Sequence, residues 1–184
     1  MSDRPNRWKG FTLGALGGLA GVVAMEYYWK AASALAGGDP REQKKDSQEP
    51  GPLDDISLVG KHHKEGESST EAAGRIAYRL VTGKEPQSDE TKNTLSYLVH
   101  WLQSMIMGGA YGATRPNASF PDIPGGIAFG AAVWLFGDEL VVPALGLAGG
   151  PTAYPPQLHA HAFGAHMVYG IATAATTRLF DKLT

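Results

Sequence analysis

The stretch Ile123–Leu147, IPGGIAFGAAVWLFGDELVVPALGL, holds only two charged side chains, Asp138 and Glu139, adjacent in an otherwise apolar, glycine-rich run. Outward from it the pattern continues: Leu140 to Thr177 contains no Asp, Glu, Lys or Arg. In water, a chain of 184 residues would have to hide that whole stretch in a core too large for its size. With lipid as the solvent the difficulty disappears, and the expectation is a membrane protein with an acidic pair at or near the bilayer.

The averages conceal this. A mean hydropathy of -0.18 and 43% hydrophobic residues resemble an ordinary soluble domain. The charges, however, are segregated. Between Asn93 and Thr177 they are Arg115, Asp122, Asp138 and Glu139 alone, whereas the segment from Lys30 to Lys92 is crowded with them. A net charge of -2 and the lack of a basic stripe leave no case for a nucleic-acid partner. With no cysteine, disulfides, thiolate metal sites and thiol catalysis are excluded.

Four apolar segments have the ~20-residue length that a helix needs to cross ~30 Å of hydrocarbon. They are Gly10–Trp29, Asn93–Thr114, Ile123–Leu147 and Gln157–Phe180. Inside a bilayer every peptide group must be paired within the segment or a closed barrel, and the spacing here is not the alternation of strands. The first segment has the basic flank of a signal peptide, yet it ends in bulky Glu26-Tyr27-Tyr28-Trp29, an interfacial aromatic belt rather than a small-residue cleavage region. Residues 36–66 are poor in apolar side chains and read as a loosely ordered loop. Within the polar region, 69–82 reads as a short amphipathic helix, with rows Ala72-Ile76-Leu80 and Ala73-Ala77-Val81, a cap at Ser68 or Ser69 and a stop at Gly83. The expected fold is therefore all-α and polytopic: a small bundle of four transmembrane helices, with one amphipathic helix in a long polar loop. Its parts are 1–35 (tip and first span), 36–92 (polar loop) and 93–184 (three further spans).

Arg4, Arg7, Lys9, Arg115, Arg178 and Lys182 fall on one side if four helices cross. The positive-inside rule makes that side cytoplasmic, with both termini there, in a bacterial inner membrane.

Small residues recur at four-residue spacing: Gly10, Gly14 and Gly18; Gly17 and Gly21; Gly108 and Gly112; Gly126 and Gly130. That spacing lets helix backbones approach closely. It is not a phosphate loop, since no strand precedes and no Gly-Lys-Ser/Thr follows. Gly17/Glu26 and Gly130/Glu139 share a separation, and Tyr111-Gly112 is echoed by Tyr169-Gly170. This hints at two related helix hairpins.

A carboxylate at the bilayer centre costs ~2.5–3.5 kcal/mol. Asp138, however, lies ~22 Å along a helix begun at Ile123, near the outer boundary. Pro143 is expected to kink that helix at the pair, because it lacks a donor for the Glu139 carbonyl. Glu26, Asp138, Glu139, His159, His166 and Tyr169 form the candidate proton- or ion-binding group, against a purely structural role at the interface. His159 and His166 are two turns apart on one face, with His161 directed elsewhere. That spacing does not make a one-metal site on a single helix, and no metal is expected. His100 has an adequate role as a polar contact between helices. No nucleophile elbow or Lys-paired serine occurs, so catalytic residues and cofactors are not expected, and the residues identify no small-molecule ligand.

The run Phe129–Gly146, FGAAVWLFGDELVVPALG, followed by Pro151, Pro155, His159 and His166-Met167-Val168-Tyr169-Gly170, resembles the YagU-like family of bacterial inner membrane proteins of unknown function. With His100 and Tyr111-Gly112 the resemblance spans residues 95–178. It implies an integral inner membrane protein, loosely associated with acid tolerance and without established chemistry. Its signature residues would be Asp138, Glu139, Pro143, His159, His166, Tyr169 and Gly170. The leading functional expectation is a non-enzymatic structural or stress-related membrane factor whose partner is the lipid bilayer. The rivals are a homo-oligomeric proton or small-ion transport module, and an anchored interaction protein docking through 36–92.

Overall fold

The computed structural model describes residues 6–42, 51–115 and 119–184; Arg4 and part of the polar loop, 43–50, lie outside them. The fold is all-helical, with no strand among the described residues. Helix α1 spans Arg7–Ala36, α2 Ser69–Thr82, α3 Asp89–Thr114, α4 Ile123–Ala144 and α5 Pro156–Leu183, with a 3-10 turn at Pro40–Glu42. Local signals set several boundaries. The Asn6 side chain accepts the Lys9 N–H at the start of α1, and Gly37 ends it in the left-handed region. Ser68 and Glu71 form a reciprocal capping box on α2, and Gly83 closes it.

Two helices, α1 and α4, are long and apolar enough to cross a membrane. The other two expected spans also form helices, of 26 and 28 residues. Polar side chains such as His100 and Gln103 in α3 and the three histidines of α5 make them less apolar. Pro143 does not produce a simple break. The helix widens into a π-helical stretch, Val133–Val141, before the proline. Pro143 cannot donate to the Glu139 carbonyl, and an i→i+5 register passes that role to the next residue.

The chain divides into two compact units. The first comprises residues up to Glu42, Gln103–Trp134 and Gln157–Thr184. In it α1 runs antiparallel to the second half of α3, with Gly10, Gly14 and Gly18 against Gly112, Gly108 and Ser104. The start of α4 meets α5 in the same way, Gly126 against Gly170 and Gly130 against His166. A third seam sets Gly17 and Gly21 against Thr177 and Thr173. The interior of this unit is made largely of Gly, Ala, Ser and Thr with Leu13, Val22, Met25, Tyr111 and Tyr169, while Leu16, Val23, Ile106, Met107, Ile127, Phe163 and Leu179 point outward.

These seams give the two hairpins a repeat three residues out of step with the one suggested by Gly17/Gly130 and Glu26/Glu139. Gly10 corresponds to Gly126 and Gly14 to Gly130, while Tyr111-Gly112 corresponds to Tyr169-Gly170 as expected. In this alignment Glu26 and Glu139 are not equivalent. Contact register is set by backbone approach, which acidic residues on other faces do not influence.

The second unit comprises Gln43–Leu102 and Leu135–Pro156. Here α2 packs on the start of α3, with Thr70 and Ser96 hydroxyls 2.7 Å apart and Gly74 against Leu95. The buried face of α2 is Ala72, Gly74 and Arg75, while Leu80 and Val81 are 79% and 86% exposed. The expected apolar stripe is therefore inward only at its first turn. The Arg75 ion pair turns the helix, because a charge taken out of water has to sit beside its partner.

The polar segment is also more ordered than its composition suggests. Leu58 N–H donates to the Ala144 carbonyl (2.9 Å), those of His62 and His63 to Gly146 (2.8 and 2.9 Å), and that of Gly150 to Asp54 (2.8 Å). Asp54 also accepts from the Thr152 hydroxyl (2.5 Å). Backbone pairing needs no apolar side chains, so hydrophobic content underestimates order here. Gly146 permits the close approach: its φ is 66°, and a Cβ would fall on the Gly60 carbonyl oxygen.

Candidate functional site

Charge in the first unit gathers at one end, where α1 begins, α3 ends, α4 begins and α5 ends. Asp122 caps α4, accepting from Gly125 N–H, and takes a left-handed φ of 50° that Asp tolerates better than most residues. Arg115, just past α3, grips its carboxylate with two hydrogen bonds of 2.7 and 2.8 Å. The Tyr111 hydroxyl donates to the same carboxylate. Arg178, only 2% exposed, lies with its guanidinium over the Tyr111 ring at 6.0 Å and 3.6 Å from Asp181. Asp181 in turn pairs with Lys9 at 3.1 Å, and Lys182 sits over the Phe120 ring. Hydrogen bonds from Arg115 hold the Asp122 carboxyl below the usual range despite the opposing effect of burial, and Asp122 raises the Arg115 guanidinium.

The sequence singled out neither Asp122 with Arg115 nor Tyr111 with Arg178 as a site. One signal was present: Arg115 and Asp122 are the only charges between Asn93 and Gly137. Charges that survive in an apolar half are the ones that have a partner.

The six residues expected as a group are distributed between the units. Glu26, half-buried on α1, belongs to the first unit with His159, His166 and Tyr169 of α5, whereas Asp138 and Glu139 fall in the second, within the π-helical stretch. Tyr169 is buried beside Met25 and Ala165, its ring 5.6 Å from Phe129, and its hydroxyl donates to the Ser104 carbonyl (3.0 Å). His166 Nδ1 donates to the Ala162 carbonyl one turn back (2.8 Å), and its ring stands edge-on to Tyr169 at 6.5 Å. His161, expected to point away from the His159/His166 face, meets α1. Its Nδ1 lies 3.4 Å from the Tyr28 hydroxyl and its ring 6.3 Å from Trp29. No group of three or more His, Asp or Glu side chains converges to hold a metal among the described residues.

All six glycines singled out for packing (Gly14, Gly18, Gly108, Gly112, Gly126 and Gly130) lie at helix–helix seams of the first unit.

The second unit has an open cavity of about 530 Å³, lined by Lys64, Glu67, Arg75, Glu85, Asp89 and Lys92 among others. Arg75 binds Glu67 through Nε (2.6 Å) and Nη2 (2.9 Å) and donates to the His62 carbonyl (2.6 Å). Burial pushes the Glu67 carboxyl up, but hydrogen bonds from Arg75 and the Lys64 backbone outweigh it and hold the group below its usual range. The wall is thus a self-satisfied ion-pair network that anchors 62–67 to α2. No family model, curated protein or solved structure matches the chain.

Proposed function

We propose that the chain is an integral inner membrane protein that crosses the bilayer four times, through α1, α3, α4 and α5, with both termini cytoplasmic. In this reading it is a structural, stress-related membrane factor and not an enzyme. The observation that carries it is the inside-out first unit: small residues at the helix seams, larger apolar side chains facing outward. In water that arrangement leaves apolar area exposed without return. In lipid the outward side chains are solvated, and close backbone contact supplies the cohesion. The clustering of Arg7, Lys9, Arg115, Arg178 and Lys182 near one end supports the orientation, since cations concentrate on the cytoplasmic side. The YagU-like resemblance favours the same class and carries its loose association with acid tolerance.

The chain has no cysteine, so single replacements report topology cleanly. In intact spheroplasts a membrane-impermeant maleimide should label Lys61→Cys and Ala153→Cys, and reach Trp8→Cys and Lys182→Cys only after permeabilisation. Equal labelling at all four positions, or release of the protein by alkaline carbonate without detergent, defeats the proposal.

A further inference from the structure

We propose that the cationic end of the first unit is a seat for anionic phospholipid headgroups, formed by Arg7, Lys9, Arg115 and Lys182, with Trp8 and Phe120 beside them in the interface. This rests on the membrane reading above and adds a lipid preference to it.

Charge complementarity is the first argument. Arg7, Lys9, Arg115, Arg178 and Lys182 stand at this end against two described carboxylates, Asp122 and Asp181. Both carboxylates are engaged by cations, so the surplus is positive. At the opposite end, Lys30 and Arg41 are matched by Glu26 and Asp39, and Arg41 is bound to Asp39 directly. The asymmetry therefore belongs to one end.

These cations are also accessible. Arg7 is exposed, and the side chains of Lys9 and Arg115 are 39% and 46% accessible in spite of their ion pairs. Lys182 is exposed, with its ammonium 4.4 Å from the Phe120 ring centroid. Trp8 is 81% exposed and packs edge-on against Phe11. An indole and a phenyl ring flanking cations form an amphipathic rim suited to the headgroup boundary, where the rings meet acyl glycerol and the cations meet phosphate. Each cation near an anionic surface raises lipid partitioning roughly fivefold, and the effect decays over a Debye length of ~8 Å at physiological salt.

The test is native mass spectrometry of the full chain released from nanodiscs of mixed phosphatidylcholine and phosphatidylglycerol. Phosphatidylglycerol should be retained over phosphatidylcholine by more than tenfold, and the enrichment should fall as salt rises. Arg7→Gln/Lys182→Gln should lose most of it, while Lys30→Gln keeps it. The salt titration on the unaltered protein decides the matter even if the double variant folds poorly. Equal retention of the two lipids, salt-independent enrichment, or enrichment undiminished in a folded double variant overturns the proposal while leaving membrane insertion intact. Failure to enter nanodiscs of either lipid would instead overturn the membrane reading.

Discussion

Gly14 of α1 and Gly108 of α3 meet reciprocally: a Cβ built on either one falls on the carbonyl oxygen of the other. The contact leaves no room for a methyl group, and its obstacles are backbone atoms that move only with their helices. Gly14→Ala and Gly108→Ala should each destabilise the folded protein by ~1–3 kcal/mol, the usual range for overpacking. Gly38→Ala, where nothing lies within 4 Å, should be nearly neutral. Thermal unfolding in detergent, followed by circular dichroism, distinguishes the two outcomes.

Asp122 supplies a pH dependence. Hydrogen bonding from Arg115 lowers its pKa from 3.8, so its contribution to stability is complete above the unfolded value and disappears as pH falls through the folded one. Asp122→Asn should cost ~1.5–3 kcal/mol at neutral pH, toward the lower end because Arg115 rehydrates readily. It should also flatten the acid limb of the stability profile below about pH 4. A variant whose acid limb matches that of the unaltered protein would show that the pair contributes nothing.

The Arg75–Glu67 pair of the second unit is largely buried, at 8% and 13% side-chain exposure. Glu67→Gln should loosen the second unit, toward the lower end of the ~3–5 kcal/mol that breaking a buried pair costs, since the buried guanidinium keeps only Glu85, 3.9 Å away, as counter-charge. Replacing both partners, Glu67→Leu with Arg75→Met, should recover much of that loss. Protease cleavage rates within residues 51–88 provide the measurement.

Gly60 and Gly146 both have positive φ, 89° and 66°, but differ in space. Asn accepts such backbone conformations better than other side chains. Gly60→Asn, in open surroundings, should leave the pairing of 51–63 with 144–152 intact. Gly146→Asn should disrupt it, because its Cβ collides with the Gly60 carbonyl. Amide hydrogen exchange at Leu58, His62 and His63 reads the difference directly.

Local rules made much of this fold legible in the residue order. Capping atoms and stop residues lie within four positions of what they cap, so α2 was readable to within a residue of its ends from Ser68 or Ser69 and Gly83. Segment length and the segregation of charge placed the remaining helices, and four-residue glycine spacing marked the faces that pack. Folding supplied the pairings. Nothing in the residue order tells Gly14 to meet Gly108, aligns Gly126 with Gly170, joins Tyr111 to Asp122, or turns Arg75 inward toward Glu67. Those contacts join residues distant along the chain, and backbone approach and ion pairing depend on where whole helices come to rest. The polar segment 51–63 is the plainest case: its order resides in peptide hydrogen bonds, which every residue type offers and no composition reveals.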